Sequence, residues 1–155
     1  MMRIEEICSL SPVHIPHTCT LRDAAVQMRD RHVGALVVTE PFGGGQRAMG
    51  IVTDRDIVLE STAAGTVPGE ATVADVMTRG VVAIGKDAGI DDALQTMLAH
   101  GVRRLAVTDA EAVVGVLSLD DIVDALGAQW NMLASVLHNE RERERSGSVQ
   151  TPLHA

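Results

Sequence analysis

The chain has almost no aromatic side chains: of 155 residues one is Phe, one is Trp and none is Tyr. A platform on which nucleic-acid bases could stack is thereby excluded. Basic charge is also scarce. The formal net charge is −8, from 13 Lys and Arg against 21 Asp and Glu. The arginines are scattered or interleaved with acids, whereas a nucleic-acid-binding face needs them clustered. Two cysteines, Cys8 and Cys19, both precede the first expected helix and are too few for a disulfide framework. No apolar run approaches the ~20 residues of a membrane span. The segment Met1-Met2-Arg3-Ile4-Glu5-Glu6 has acids where a secretion signal carries a basic end and an apolar stretch. These absences predict a soluble, cytoplasmic protein that binds neither nucleic acid nor membrane.

What is present is a repeat. Apolar residues make up 46% of the chain, enough for the core of one compact module, and they are arranged twice in the same order. Leu21–Met28, His32–Val38 and Gly50–Ile57 in the first copy correspond to Ile90–Met97, Gly101–Val107 and Gly115–Ile122 in the second. Two copies imply a pair related by a pseudo-two-fold axis rather than a solenoid. Clefts between related halves are common ligand sites.

Each copy reads as strand, helix, strand, strand, helix. In the first, Val13–Ile15 opens a strand, and Thr20 with Asp23 forms a capping box for a helix whose buried face is Leu21, Ala24, Ala25 and Met28. Strands at 35–39 and 49–53 flank a turn-rich loop, Glu40–Arg47, and Thr53 caps a helix running to about Ala64. Its Gly43-Gly44-Gly45 run lacks the Gly-Lys-Ser/Thr of a phosphate loop and reads as a hairpin connection. Residues 65–71 read as a linker. A short helix capped by Thr72 and Asp75 leads into strand 81–84, helix 90–100, strands 104–108 and 113–118, and a helix from Leu119. Gly127 is expected to interrupt that helix. A terminal amphipathic helix over 128–145 follows, with Trp130, Leu133, Val136 and Leu137 on one side. Residues 146–155 have no periodicity and read as a disordered tail.

Thr/Ser-x-x-Asp occurs four times, at Thr20/Asp23, Thr53/Asp56, Thr72/Asp75 and Ser118/Asp121. Helix capping explains all four, because hydroxyl and carboxylate satisfy orphan N–H groups. Only Thr53 and Ser118 directly follow a Gly-apolar-apolar strand. There the glycine permits close backbone approach, and the hydroxyl stands at a helix N-terminus suited to phosphate. The carboxylate one turn on can accept ribose hydroxyls. Capping and binding both remain open for these two pairs.

Taken together, His32–Val38, Gly50–Asp56, His100–Leu105 and Gly115–Ser118 with Asp121 resemble a tandem cystathionine-β-synthase (CBS) domain pair, the Bateman module. The resemblance spans residues 7–126, with repeat 1 over 7–64 and repeat 2 over 72–126. It implies an α/β fold of two β-α-β-β-α repeats. It further implies a stand-alone regulatory module binding an adenosyl ligand: AMP, ADP, ATP, S-adenosylmethionine, NAD or a relative. By position, Asp56 and Asp121 would take ribose hydroxyls, and Thr53 and Ser118 phosphate or ribose. Backbone near Val13–Ile15 and Val82–Ile84 would read the adenine. The family often has Pro after the Leu of the second strand; Val37 and Ala106 stand there instead.

Arg55, Arg103 and Arg104 are candidates for polyphosphate, with a solvated face as the alternative. Arg103 leads, since it stands where the first copy has Gly34. Cys8, His14, His17 and Cys19 are zinc-ligand types without a zinc spacing. No Ser-His-Asp order, catalytic Cys motif or paired-carboxylate cleft stands out. The expectation is therefore no enzyme, no metal and no obligatory cofactor. The predicted role is an energy-sensing homodimer that acts on an unknown effector protein. The alternative is a constitutive oligomeric interaction module with empty clefts.

Overall fold

A computed structural model describes residues 2–10 and 13–147. The chain falls into two compact units, Met1–Ser118 and Leu119–Ala155. The first unit opens with a 3-10 turn at Ile4–Glu6, then β1 (Ser9–Leu10), β2 (His14–Pro16), α1 (Leu21–Arg31), β3 (Ala35–Phe42) and β4 (Gly45–Thr53). Next come α2 (Asp54–Val58), a π turn at Leu59–Ala63, α3 (Val73–Val76) and β5 (Thr78–Arg79). β6 (Ala83–Gly85), α4 (Ile90–His100), β7 (Arg104–Asp109) and β8 (Ala112–Ser118) complete it. The second unit is one helix, α5 (Leu119–Ser146).

Two four-stranded sheets result, in the orders β2-β3-β4-β5 and β1-β8-β7-β6. In each, a helix carries the chain between parallel neighbours, β2 to β3 through α1 and β6 to β7 through α4. An antiparallel hairpin follows in both. The outer strands are exchanged. β1, at the start of the first repeat, pairs with β8 of the second, and β5, near the start of the second, pairs with β4 of the first.

The buried side chains follow the duplication. Ile15, Ala24, Met28, Leu36, Val38 and Val52 have buried counterparts in Ile84, Ala93, Met97, Leu105, Val107 and Leu117. Ile4 and Val73 also correspond, each ahead of its sheet's parallel strand pair in sequence and each fully buried. The glycines of the Gly-apolar-apolar strands answer to this exchange. A Cβ on Gly50 would lie 2.4 Å from the Thr78 carbonyl oxygen and 2.9 Å from Met77 Sδ. A Cβ on Gly115 would lie 2.9 Å from both Ser9 O and Cys8 Sγ. The close approach these glycines allow is made by the exchanged strands.

Helix ends are set by side-chain chemistry. The Asp23 carboxylate accepts the Thr20 N–H at 3.0 Å while Thr20 Oγ1 accepts the Asp23 N–H at 3.1 Å. The bond to the Thr20 backbone is the main reason the Asp23 carboxyl is held below its usual range. Gly89 N–H is taken by Asp92 at 3.1 Å, so the carboxylate half of this cap recurs without a hydroxyl. α1 and α4 both end in a left-handed residue, His32 at φ 56° and Gly101 at φ 64°.

Three local expectations change. The loop expected over Glu40–Arg47 is mostly strand. β3 and β4 pair out to Phe42 and Gly45, and Gly43 (φ 53°) and Gly44 (φ 81°) alone turn the chain. Two consecutive positive-φ residues suit a tight hairpin whose twist matches its strands. The helix from Thr53 passes into a π turn before Ala64. Gly127 does not interrupt the last helix, which runs unbroken from Leu119 to Ser146. A mid-helix glycine costs about 1 kcal/mol against alanine, too little to break a helix of this length. Of the tail expected to be disordered, residues 148–155 lie outside the described residues.

Candidate functional site

Within the first unit the exchange of β5 brings three stretches of chain together around a cavity of about 310 Å³. Ile51 and Thr53 come from the end of β4. Thr78, Gly80, Val81 and Val82 come from β5 and the approach to β6, and Gly101, Val102, Arg103 and Arg104 from the exit of α4. The volume is at the lower end of the range for small-molecule sites. The chemistry is divided. Ile51, Val81, Val82 and Val102 contribute apolar wall, Thr53 and Thr78 carry hydroxyls, and Arg103 and Arg104 carry guanidiniums. Guanidinium forks suit phosphate or carboxylate.

Thr53 occupies both roles weighed from the sequence. Its Oγ1 accepts the Asp56 N–H at 3.2 Å, and its own N–H donates to Asp56 Oδ2 at 2.9 Å. This is a complete capping box, and it fixes the hydroxyl at the rim of the cavity. A capping hydroxyl keeps its proton as a donor. Asp56 stands one turn into α2 and is not among the cavity-lining residues; one of its oxygens is committed to the cap. Arg55, beside it on α2, is exposed and is likewise absent from the lining.

Arg103 is among the residues lining the cavity. In the first copy a Cβ on Gly34 would sit 3.3 Å from Asp54 Oδ2, a tight contact with a side-chain tip, and the Asp54 N–H bonds Gly34 O at 3.0 Å. In the second copy Leu119 stands in place of Asp54. Ser118 closes β8, and Asp121 lies in the first turn of α5. Val82 lines the cavity, but its carbonyl is already taken by the Ala106 N–H at 2.9 Å. Val13 O is taken by the Val37 N–H in the same way, at 3.0 Å.

Thr78 and Gly80 carry no motif of their own, and a short helix capped by Thr72 that leads into a strand at 81–84 passes over them. A signal existed. Met77-Thr78 stands as far ahead of the second repeat as Cys8-Ser9 does ahead of the first, and those pairs meet Gly50 and Gly115 in the same way. Burial pushes the Cys19 thiol up, with Asp23 adding to it, which makes it a poor thiolate. Among the described residues no group of three or more His, Cys, Asp or Glu is placed to hold a metal ion, and no helix is long and apolar enough to cross a membrane.

Two α/β halves that exchange their outer strands define a tandem-repeat module, and comparison with known proteins gives the family. CBS domain sequences match residues 4–62 and again 73–128; the chain belongs to the CBS domain family, as a tandem pair. It is 38% identical over 117 residues to the uncharacterized protein YlbB of Bacillus subtilis, covering 73% of this chain and 76% of that one. The crystal structure of Hypoxic Response Protein I with two coordinated zinc ions is similar at 31% identity. Its TM-score is 0.65, covering 79% of this chain and 98% of that one. The CBS domain protein PAE2072 of Pyrobaculum aerophilum, solved in complex with AMP, is similar at 25% identity. Its TM-score is 0.67, covering 77% and 89% of the two chains.

Proposed function

We propose that the protein is a regulatory sensor that binds an adenosine nucleotide in the cleft between Thr53 and Arg103, and that a partner protein reads the occupied state. The observation that carries this reading is the lining itself, in which Thr53, Thr78, Arg103 and Arg104 stand beside the apolar Ile51, Val81, Val82 and Val102. The AMP complex of PAE2072 supports the same ligand class. The apolar wall takes the base. Arg103 and Arg104 take phosphate, the Thr53 hydroxyl donates to phosphate or ribose, and Asp56, one turn on, accepts a ribose hydroxyl. Ser118 and Asp121 do the same for the second repeat, and Arg55 adds long-range attraction from its exposed place on α2. The ligand is bound, not turned over, and signals by shifting the helices that flank the cleft.

The module works as a homodimer. Val58 and Leu59, at the end of α2, are exposed, as are Val123 and Leu126 on α5. Apolar faces of this kind are commonly covered across a two-fold axis. A constitutive assembly module with empty clefts is the second reading, favoured by the use of Thr53 and Asp56 in a capping box.

Titration calorimetry of the full chain against AMP, ADP, ATP, NAD, S-adenosylmethionine and adenosine decides between them. Binding of at least one, weakened by Arg103→Ala more for a polyphosphate nucleotide than for adenosine, is expected. No binding by any, from a folded dimer, overturns the sensor and leaves the assembly module.

A further inference from the structure

The two repeats are built alike but differ in charge at one place. β3 pairs Ala35 with Thr53 and β7 pairs Arg104 with Ser118. Gly34 and Ala35 of the first repeat are therefore the counterparts of Arg103 and Arg104 in the second. Arg103 and Arg104 line the cleft together with Thr53. Gly34 and Ala35 bring no charge to the corresponding place, and a carboxylate comes to it instead. The Asp54 N–H donates to Gly34 O at 3.0 Å, and Asp54 Oδ1 accepts the Arg55 N–H at 2.8 Å. With those bonds made, Oδ2 lies 3.3 Å from where a Cβ of residue 34 would be. An acid oxygen stands at the root of the side chain that the second repeat has and the first lacks.

We propose that Gly34 and Asp54 together deny phosphate to this place, so that each chain takes one polyphosphate nucleotide, in the cleft of Thr53 and Arg103. This deepens the nucleotide reading above and rests on it. A carboxylate only accepts hydrogen bonds, as phosphate oxygens do, so the two cannot pair, and their like charges repel. A guanidinium presents a fork of donors that fits phosphate. Exchanging Arg for Gly, and Leu for Asp, thus reverses the kind of ligand end that the same backbone position accepts. The glycine itself is not required by torsion, since Gly34 is not among the positive-φ residues. Leucine is also accommodated at the start of a helix in this register, as Leu119 shows in the second repeat. The side chains of the second repeat can therefore be moved into the first.

The test counts ATP bound per full chain by titration calorimetry. Asp54 is exposed, so low ionic strength is used to limit screening. One ATP per chain is expected for the natural protein, and two of similar affinity overturn the proposal. Gly34→Arg with Asp54→Leu is expected to bind a second ATP, about tenfold or more tighter than any second event in the natural chain. One ATP per chain in that folded double variant overturns the proposal. Gly34→Arg alone is expected to stay at one, because its guanidinium pairs with Asp54; a second ATP there overturns the role of Asp54. Where the double variant fails to fold, Asp54→Asn replaces Asp54→Leu, since its amide oxygen still accepts the Arg55 N–H, and the same counts decide. Adenosine is expected to bind the natural chain and the double variant equally. A gain for adenosine that matches the gain for ATP assigns the effect to shape and overturns the exclusion by charge. A natural chain that binds AMP but no ATP overturns this proposal alone, whereas one that binds no nucleotide overturns the nucleotide reading and this proposal with it.

Discussion

Gly50→Ala tests whether the exchanged strands decide the fold. The new Cβ would lie 2.4 Å from the Thr78 carbonyl oxygen and 2.9 Å from Met77 Sδ. Ordinary van der Waals contact for such a pair begins about 1 Å further out, and the obstacle is backbone that is hydrogen-bonded in the β4–β5 pair. Gly50 is not left-handed, so the added methyl brings no torsional strain and the whole cost is the overlap. Relief requires β5 to shift, dragging Met77 out of the first core cluster. Overpacking of this kind costs about 1–3 kcal/mol, and this case falls at the upper end because the methyl meets a carbonyl rather than a pliable side-chain tip. With a urea dependence of about 2 kcal/mol/M, the midpoint falls by roughly 1 M or more. Since Thr78 and Gly80 line the cleft, nucleotide affinity falls in the same variant. Gly127→Ala is the control, because nothing lies within 4 Å of its added methyl and the residue sits mid-helix. It is expected to stabilise by up to about 1 kcal/mol. Equal urea midpoints for Gly50→Ala and the natural chain would refute the close approach of β5.

Asp56→Ala is expected to weaken nucleotide binding by about 1–3 kcal/mol through the lost ribose contact. It also costs about 1 kcal/mol of stability through the lost cap, so calorimetry is run well below the melting temperature; unchanged affinity would remove Asp56 from the site. His32→Gly is expected to stabilise by about 0.5–1 kcal/mol, because His32 is left-handed at φ 56° where the second repeat has Gly101; a drop in thermal midpoint would contradict this. The Asp23 carboxyl is held low by the Thr20 cap. Its contribution is thus present above the ordinary carboxylate range and lost as pH falls through the depressed folded value. Urea midpoints of the natural chain and Asp23→Asn should then differ at neutral pH and converge towards pH 2, and a gap constant with pH would contradict the linkage. Truncation after Gly127 is expected to weaken the dimer without unfolding the repeats, read by sedimentation and circular dichroism.

Local chemistry made much of this protein legible from sequence. The spacing of Leu21, Ala24 and Met28, repeated at Ala93 and Met97, specifies amphipathic helices because a 3.6-residue period has one buried face. Caps at Thr20, Thr53 and Thr72 are readable because the bonding partners lie three residues apart. The duplication is legible because it is a comparison of the chain with itself, and the family follows from the resemblance carried by His32–Val38, Gly50–Asp56, His100–Leu105 and Gly115–Ser118 with Asp121. Other features depend on contacts distant in sequence. Two-residue strands such as β1 and β5 carry no periodicity, so their exchange between sheets is decided only when the sheets form. The meaning of Gly50 and Gly115 follows from that exchange: each glycine is required by a carbonyl from a strand some thirty or a hundred residues away. The cleft is a tertiary object for the same reason. Thr53, Thr78 and Arg103 become neighbours because β5 crosses to β4 and α4 ends beside it, while Arg55 and Asp56, close to Thr53 in sequence, stand on α2 and are not among the described lining residues.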